Sequence, residues 1–320
     1  MKIGIDLMGG DFAPKSVIEG SILAYSELAS NEKIVLIGDK FKAEQLFKEN
    51  HFNPDLIEII HTEEFIDMAE SPTKAIQKKP NSSISIGFDL LKSGELHSFG
   101  SSGNTGAMLV GALFSVKTIP GVIRPAVNTI VPKLKGGFGV LLDVGVNADC
   151  RPESLLQFGM LGKILAEKVY HIKNPRVGLL NIGEEEEKGN LLTQAVFPLM
   201  QENEFFNFIG NIEGRDLFKD VADVIVTDGF TGNVVLKLAE SFYEMTLMKG
   251  FKDDFFDRFN YEQYGGSPIL GINAPVLIGH GISTGIAIKN MILLSKQIIN
   301  TGLIEEVKEA FSFFVDSAQS

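Results

Sequence analysis

The sequence has only one cysteine among its 320 residues, Cys150, and it has no long apolar run and no long basic run. A single cysteine excludes an intramolecular disulfide and a site built from several thiolates, which indicates a reducing compartment. The most apolar segment, residues 106–116, is much shorter than the roughly 20 residues that span a bilayer, and it predicts a buried helix. We therefore expect a cytoplasmic protein for which peripheral membrane contact stays open.

Basic residues are also scarce, since 29 Lys and Arg face 41 Asp and Glu, for a net charge of −12. This balance argues against nucleic acid as a partner, because a polyanion needs a concentrated basic face. The chain has no HExxH motif, no paired Cys and His pattern and no GxGxxG motif, so we predict neither a metal nor a cofactor. The absence of a Gly-x-Ser-x-Gly elbow disfavours a covalent serine hydrolase.

What is present is one repeated pattern: a short aliphatic run, a polar glycine-rich turn, and then a segment with helical periodicity. Its clearest instances begin at Ile3, Ile34, Val140, Val177, Val224 and Val276. Alternating strands and helices predict an α/β fold, a three-layer α/β/α sandwich with a mostly parallel sheet. No linker divides the chain, so residues 1–320 are treated as a single domain.

One region departs from the pattern, at about 241–264. Phe251, Phe255 and Phe259 follow one another there at intervals of four residues, with charges between them. This spacing predicts an amphipathic helical excursion from the main domain.

The most informative turn runs from Asp228 to Asn233, between the apolar run 222–226 and a helical segment. Open α/β folds bind ligands where strands end, and a turn of this composition offers backbone N–H groups to an anion. The turn ends in the Asn233 amide and supplies no nucleophile. These backbone N–H groups and the side-chain amide favour a site that binds phosphate and polarises a carbonyl group.

Three other turns carry related signals. Gly9, Gly10 and Asp11 follow the first strand, where a plain tight turn and an anion contact are both open readings. Residues 102–106 place small donors before a helix, which favours an anion site. Lys188 lies about one turn beyond Gly183 and can fold back over the strand end. Its four preceding acids alone predict a solvated first helical turn. Among the histidines, only His280 occupies a strand-end turn.

These motifs, in this order, resemble the PlsX family of acyl-[acyl carrier protein]:phosphate acyltransferases. The matching stretches are Ile5–Asp11, Ser71–Pro72, Ser102–Ala107, Arg124–Ala126, Leu141–Gly145, Asn181–Glu185, Asn211–Asp216, Asp228–Asn233 and Tyr264–Gly266. They extend from the first strand to the last helices. The resemblance implies a fold like isocitrate/isopropylmalate dehydrogenase and phosphotransacetylase, and a homodimer.

The resemblance also implies a reaction. Long-chain acyl-[acyl carrier protein] and inorganic phosphate would give acyl phosphate and free carrier protein, and a membrane glycerol-3-phosphate acyltransferase would use the product for phospholipid synthesis. Phosphate would be the nucleophile, so the protein needs only orientation and charge stabilisation.

Within this hypothesis Lys188 and Asn233 are the catalytic residues. Lys188 would orient phosphate or stabilise the oxyanion, and the Asn233 amide would donate to the carbonyl oxygen. The expected substrate-binding residues are Gly9, Gly10, Asp11, Ser102, Gly103, Asn104, Thr105, Gly106, Asp143, Asn181, Gly183, Asp228, Gly229, Thr231, Gly232 and His280.

The sequence departs from the family pattern in two places. Phe12 stands where the family usually has His, so a proton-transfer role at that position is absent. The excursion at about 241–264 is shorter and less lysine-rich than in typical members, which leaves membrane contact and packing on a second subunit both open. An acidic carrier protein would also need a basic patch, for which we expect either Lys74, Lys78 and Lys79 or Arg124, Lys133 and Lys135.

Two other functions remain open from the sequence. One is a phosphotransacetylase-like acyl transfer with coenzyme A. The other is a non-catalytic phosphate- or nucleotide-binding module, which would keep the glycine turns but would not need Lys188 and Asn233.

Overall fold

A computed structural model describes residues 1–317. The chain forms two compact units. Unit 1 consists of residues 1–117 and 261–300, and unit 2 consists of residues 118–260 together with the segment from residue 301 onward.

Regular elements alternate along the whole chain. Residues 1–117 contain β1 (Lys2–Asp6), α1 (Lys15–Tyr25), β2 (Lys33–Gly38), α2 (Lys40–Glu49), β3 (Glu58–His61), α3 (Pro72–Lys78), α4 (Ser83–Ser93), β4 (Ser98–Ser101) and α5 (Thr105–Gly111). Residues 118–260 contain β5 (Ala126–Pro132), β6 (Phe138–Leu142), α6 (Pro152–Lys168), β7 (Arg176–Asn181), α7 (Leu191–Gln201), β8 (Asn207–Glu213), β9 (Val224–Val226), α8 (Gly229–Met248) and α9 (Asp254–Asp257). The remainder contains β10 (Ser267–Leu270), β11 (Val276–Ile278), α10 (Gly285–Asn300) and α11 (Leu303–Ser317).

The sheet of unit 1 has the strand order β3-β2-β1-β4-β11-β10, and only β10 runs antiparallel to its neighbour. Helices cover both of its faces. Phe99 of β4 packs edge-on against Phe88 of α4, whereas the next residue, Gly100, faces Met291 of α10. Successive residues of a strand point to opposite faces, so α4 and α10 lie on opposite sides of the sheet.

Unit 2 repeats this arrangement with the strand order β5-β6-β9-β7-β8, in which β5 is antiparallel and the other pairs are parallel. Gly162 of α6 lies against Leu142 and Val224 on one face. On the other face, Leu141 joins a core cluster to which Val235 of α8 contributes. Each unit is thus a helix–sheet–helix sandwich, and the predicted three-layer α/β fold with a mostly parallel sheet is confirmed.

Helix starts and helix burial depend on local side chains. The Asp39 carboxylate caps α2 by accepting hydrogen bonds from the Phe41 and Lys42 amides, a common role for an acid before a helix. The predicted helix at 106–116 forms as α5 and a following π-helical turn, but it is not fully buried, because Leu113 and Phe114 are exposed.

The predicted excursion is not one continuous helix. Helix α8 ends at Met248, and Gly250 then adopts a positive φ of 70°. Residues 251–253 are not helical, so Phe251 lies outside α9, whereas Phe255 and Phe259 pack around Phe218. Glycine in a left-handed conformation commonly ends a helix, which explains the break.

Among residues 1–317, no helix combines the length and the apolar character needed to cross a bilayer.

Candidate active site

The residues predicted from the sequence fall into two groups. Those of unit 1 are Gly9, Gly10, Asp11, Ser102, Gly103, Asn104, Thr105, Gly106 and His280. Those of unit 2 are Asp143, Asn181, Gly183, Lys188, Asp228, Gly229, Thr231, Gly232 and Asn233.

Three turns of unit 1 meet at one edge of its sheet. Strands β1, β4 and β11 are adjacent and parallel in the order β1-β4-β11, so their carboxyl ends lie together. Gly9–Asp11 follows β1, Ser102–Gly106 follows β4, and His280 follows β11. The Asp11 amide donates a hydrogen bond of 2.7 Å to the Gly281 carbonyl oxygen. Sequence motifs far apart in the chain are therefore neighbours here, as the carboxyl-edge rule for parallel sheets requires.

A buried carboxylate, Asp6, lies behind these turns. Its Oδ1 accepts a hydrogen bond of 3.0 Å from the Met8 amide, and its Oδ2 accepts one of 2.6 Å from the Ser101 hydroxyl. A Cβ atom on Gly9 would be 2.5 Å from Oδ2, so only glycine fits there. Burial raises the pKa of Asp6, and the hydrogen bond from Ser101 opposes that rise. We did not predict Asp6 from the sequence, although an acid that ends an apolar strand was a readable signal.

Asn104 uses its side chain within unit 1. Its Oδ1 accepts from the Ala107 amide and caps α5. Its Nδ2 is within hydrogen-bond distance of the carbonyl oxygens of Asp67, Met68 and Glu70, at 2.9 to 3.2 Å. The amide therefore ties the start of α5 to the segment before α3.

Ser102 differs from Asn104. Its hydroxyl is buried, and no hydrogen-bond partner for it lies among residues 1–317. A Cβ atom on Gly279 would collide with this hydroxyl, so the strand end of β11 approaches it closely. A buried hydroxyl without a partner is costly, which suits a group that donates to a bound ligand.

Unit 2 gathers its own three strand ends. Strands β6, β9 and β7 are adjacent and parallel. Asp143 follows β6, the Asp228–Asn233 turn follows β9, and the loop 181–190 that carries Lys188 follows β7. The predicted residues of unit 2 are therefore grouped at one edge of its sheet.

The Asp228–Asn233 turn is the amino terminus of α8. The Asp228 carboxylate caps the helix by accepting hydrogen bonds of 2.8 Å from both the amide and the hydroxyl of Thr231. A Cβ atom on Gly232 would overlap the Asp143 carbonyl oxygen, so this close packing requires glycine. The Asn233 Nδ2 donates to the Val144 carbonyl oxygen at 3.1 Å. Since an amide nitrogen carries two protons, one N–H of Asn233 is left for another acceptor.

Lys188 adopts the position that its spacing predicts. Its aliphatic chain lies over Gly183, where a Cβ atom would be 2.9 Å from the lysine Cγ. The loop is held by Asn181, whose Nδ2 donates to the Lys188 carbonyl oxygen at 3.1 Å. No carboxylate of residues 1–317 pairs with the Lys188 ammonium. The four acids before it form turns, not the first turn of a helix as the charge run alone predicts, and α7 begins only at Leu191.

Three carboxylates, Glu184, Glu213 and Asp216, come within 4.8 Å of one another near this loop. Arg215 forms ion pairs with Glu213 and Glu184. Lys219 pairs with Asp216 at 3.0 Å. The side chains of Arg215 and Lys219 thus already pair with these carboxylates, and we assign no metal to the cluster.

Cys150 lies near the unit 2 group but is a poor nucleophile. Burial raises the pKa of its thiol to about 11, and the carboxylates of Asp143 and Asp228 add to the rise. The thiolate is the nucleophilic form of cysteine, and it is scarce at neutral pH when the pKa is so high. The unit 2 group therefore offers the Lys188 ammonium and the Asn233 amide as donors, without an activated cysteine.

The prediction that Lys133 contributes to an exposed basic patch is wrong. Lys133 is buried and pairs with Asp220 at 2.9 Å and also with Asp223. Arg176 binds the same two carboxylates. Burial would raise the pKa of Asp223, but hydrogen bonds from Arg176 and Lys133 hold that pKa well below its ordinary value. Lys133 is therefore part of an internal ion-pair network. In the other patch, Lys79 pairs with Glu70, and Lys74 and Lys78 are exposed.

Comparison with known proteins decides the family. The family model described as "Fatty acid synthesis protein" matches residues 1–306. The chain belongs to this family. Members of the fatty acid synthesis protein family named phosphate acyltransferase include one from Endomicrobium trichonymphae, which is 43% identical over 97% of each chain. Another, from Dictyoglomus turgidum, is 39% identical over 99% of each chain. The protein is accordingly an acyltransferase.

Solved structures confirm the fold of this family member. The EutD phosphotransacetylase from Staphylococcus aureus matches with a TM-score of 0.63 and 18% identity, covering 93% of this chain and 94% of that one. A phosphotransacetylase from Streptococcus pyogenes matches with a TM-score of 0.64 and 18% identity, covering 94% of both chains. At this identity the likeness concerns the fold alone.

Proposed function

We propose that this acyltransferase moves a long-chain acyl group from acyl-[acyl carrier protein] to inorganic phosphate, and that the acyl phosphate enters phospholipid synthesis in the cytoplasm. The name phosphate acyltransferase, carried by relatives that cover nearly the whole chain, supports phosphate as the acceptor. The carrier protein as donor, and the later use of the product by a membrane glycerol-3-phosphate acyltransferase, rest on the sequence resemblance.

The observation that carries the proposal is the arrangement in unit 2. Lys188 and Asn233 follow adjacent parallel strands, β7 and β9. Lys188 supplies an ammonium that forms no ion pair within residues 1–317, and Asn233 supplies a side-chain amide with one committed N–H group. The nearest thiol, Cys150, is not activated. These features suit a reaction in which a substrate, phosphate, is the nucleophile and no protein side chain attacks.

The chemistry balances without a protein nucleophile. A phosphate oxygen forms a bond to the thioester carbonyl carbon, the carbon–sulfur bond breaks, and the carrier leaves as the thiol with the proton of hydrogen phosphate. Lys188 orients phosphate or stabilises the negative charge that develops on the carbonyl oxygen, and Asn233 donates to that oxygen. Donors aimed at a developing oxyanion commonly contribute about 10²- to 10³-fold in kcat each.

The remaining predicted residues, except the completely buried Asp143, are proposed substrate contacts. In unit 1, the buried Ser102 hydroxyl is the strongest candidate, because it has no partner within residues 1–317. The Asn104 amide is already hydrogen-bonded, so the backbone of its turn is the better candidate there. Lys74 and Lys78 are the exposed cations that we propose for the acidic carrier protein.

Trapping the product tests the proposal. The protein is incubated with acyl-[acyl carrier protein], phosphate and hydroxylamine, and acyl hydroxamate is measured against reactions that lack either enzyme or phosphate. We expect hydroxamate that depends on both, together with an equal amount of free carrier thiol. The controls are needed because hydroxylamine also attacks thioesters directly.

The same assay distinguishes the alternatives. A preference for acyl-coenzyme A over the carrier protein would replace the proposed donor, and the shared fold with phosphotransacetylases makes this arm necessary. No enzyme-dependent hydroxamate from either donor would favour a binding module instead.

We also propose a homodimer in which α8 packs on a second copy. One face of α8 carries five large apolar side chains at helical spacing, each 46–66% exposed. They are Phe230, Val234, Leu238, Phe242 and Met245. Met248, the last residue of α8, and Phe251 just after it are 82% and 65% exposed, so they are better suited to a membrane surface than Phe255, which packs on Phe218.

A further inference from the structure

The carboxylate of Asp143 accepts hydrogen bonds on both oxygens from residues of its own unit. The residue follows β6 and is completely buried. Its Oδ1 accepts a hydrogen bond of 3.0 Å from the Val127 amide. Its Oδ2 accepts bonds of 2.6 and 2.9 Å from the backbone and side-chain nitrogens of Asn147, and the Val146 amide lies 3.2 Å away. Both carboxylate oxygens of this buried group therefore already accept hydrogen bonds from within unit 2.

These bonds fix the loop 144–147 in one shape. A carboxylate can accept several hydrogen bonds at once, and here its donors come from Val127 on β5 and from the loop itself. The Asn147 side chain adds a bond of 2.8 Å to the Pro125 carbonyl oxygen. Burial raises the pKa of Asp143, and the hydrogen bonds from Val127 and Asn147 oppose the rise.

The same loop holds the Asn233 turn. The Val144 carbonyl oxygen accepts from the Asn233 Nδ2. The Asn147 carbonyl oxygen accepts a bond of 2.7 Å from the Gly229 amide. A Cβ atom on Gly145 would be 2.9 Å from the Asn233 Nδ2, so the loop backbone approaches the amide closely. The orientation of the Asn233 amide thus depends on where this loop lies.

We infer that Asp143 is a positioning residue, which fixes the loop 144–147 and through it aims the Asn233 amide, without itself touching substrate. The inference rests on the proposed function, in which Asn233 acts on the carbonyl oxygen. Replacing the carboxylate by an amide puts an N–H group against backbone N–H groups, so the loop must shift. A displacement of this kind near reacting atoms can cost about 100-fold in rate.

A double-mutant cycle tests the inference. Asp143→Asn is made in the wild type and in Asn233→Ala, and kcat and the KM for phosphate are measured in all four proteins. We expect Asp143→Asn to lower kcat by about 10- to 100-fold in the wild type. In the Asn233→Ala background it should change kcat by less than about 2-fold, because the group that it aims is gone. The KM for phosphate should change little in either background.

Asp223→Asn is the matched structural control. Asp223 is a buried carboxylate of the same unit, but it precedes β9 and pairs with Arg176 and Lys133. If Asp223→Asn lowers kcat, it should lower kcat by the same factor in the wild type and in Asn233→Ala. If Asp143→Asn does not fold, Asn147→Ala replaces it, since Asn147 donates to the same carboxylate and should show the same background dependence with a smaller loss.

The possible results distinguish the positioning role of Asp143 from the catalytic role of Asn233. An equal fold loss from Asp143→Asn in both backgrounds, with Asn233→Ala itself slow, overturns the positioning role and leaves the proposed function in place. Wild-type turnover in Asn233→Ala overturns the catalytic role of Asn233 and the positioning inference with it.

Discussion

Lys188 and Asn233 are fixed by different means, although both follow strands of the same sheet. The Asn233 amide is held by a hydrogen bond to the Val144 carbonyl oxygen. The Lys188 ammonium has no ion pair within residues 1–317, and only its aliphatic chain is confined, against Gly183. An ammonium without an ion pair, at the end of a flexible side chain, can stay in contact with an anionic substrate as the reaction proceeds. Lys188 should therefore contribute to turnover much more than to stability.

Lys188→Ala should lower turnover about 100-fold or more, since a charged donor to the oxyanion or phosphate is removed. The free energy of unfolding should change by no more than about 0.5 kcal/mol, because the side chain is exposed and unpaired. Phosphate-dependent hydroxamate formation and thermal melting measure the two effects. Lys173→Ala, at another exposed lysine of unit 2, is the control and should keep wild-type turnover. Wild-type turnover in Lys188→Ala would remove the residue from the mechanism.

At the residue scale the sequence predicts donors but not their partners. The position of Lys188 over Gly183 follows from chain distance, and it is found as expected. Asn104 also looks like a free donor in the sequence, but its amide bonds to the segment near Glu70, about 35 positions earlier. Asp6 accepts a hydrogen bond from Ser101 of β4 and Asp143 accepts one from Val127 of β5, and periodicity alone does not reveal such contacts between strands.

At the scale of elements, close packing between a strand end and a helix start shapes the unit 2 group. The first turn of α8 lies on the backbone after β6, and Gly232 is the point of contact with the Asp143 carbonyl oxygen. A side chain there would push α8 away from the sheet. The glycines of this turn are thus needed for packing as well as for any approach to an anion.

Gly232→Ala should lower the free energy of unfolding by about 1 to 3 kcal/mol, the usual effect of overpacking. Urea unfolding followed by circular dichroism measures the loss, and turnover should fall too because Asn233 is the next residue. Gly214→Ala is the matched control, since a Cβ atom at Gly214 meets no atom within 4 Å. Equal stability of the two variants would mean that the Gly232 contact relaxes without cost.

The alternation of strands and helices was predictable because parallel strands covered on both faces read as continuous aliphatic runs, as in Ile34–Ile37 of β2. The antiparallel strands β5 and β10 were not predictable from such runs, since the direction of a strand depends on its connections. The end of α8 was missed for a related reason. The phenylalanines at helical spacing begin directly after Gly250, whose left-handed backbone ends the helix.

At the scale of the whole molecule, charge and apolar surface constrain different partners. A net charge of −12 opposes binding of the acidic carrier protein that we propose as acyl donor, so the proposal requires exposed local cations such as Lys74 and Lys78. On α8 the exposed Lys237 is paired with Glu240, and the apolar face of the helix suits a second copy of the chain. Five exposed large apolar side chains on a single helix exceed what isolated surface positions usually carry.

The proposed homodimer predicts a definite response to charge placed on α8. The wild type should sediment at twice the chain mass of 34.9 kDa, and Leu238→Glu should shift it to the monomer, since an unpaired carboxylate cannot be buried in an apolar interface without a large cost. Phe41→Glu is the matched control, because Phe41 is also an exposed apolar residue, at 68% against 56% for Leu238, but lies on α2 in unit 1, and this variant should remain dimeric. A wild type that sediments as a monomer at micromolar concentration would contradict the dimer. Dissociation by Phe41→Glu but not by Leu238→Glu would instead move the interface to the surface around α2.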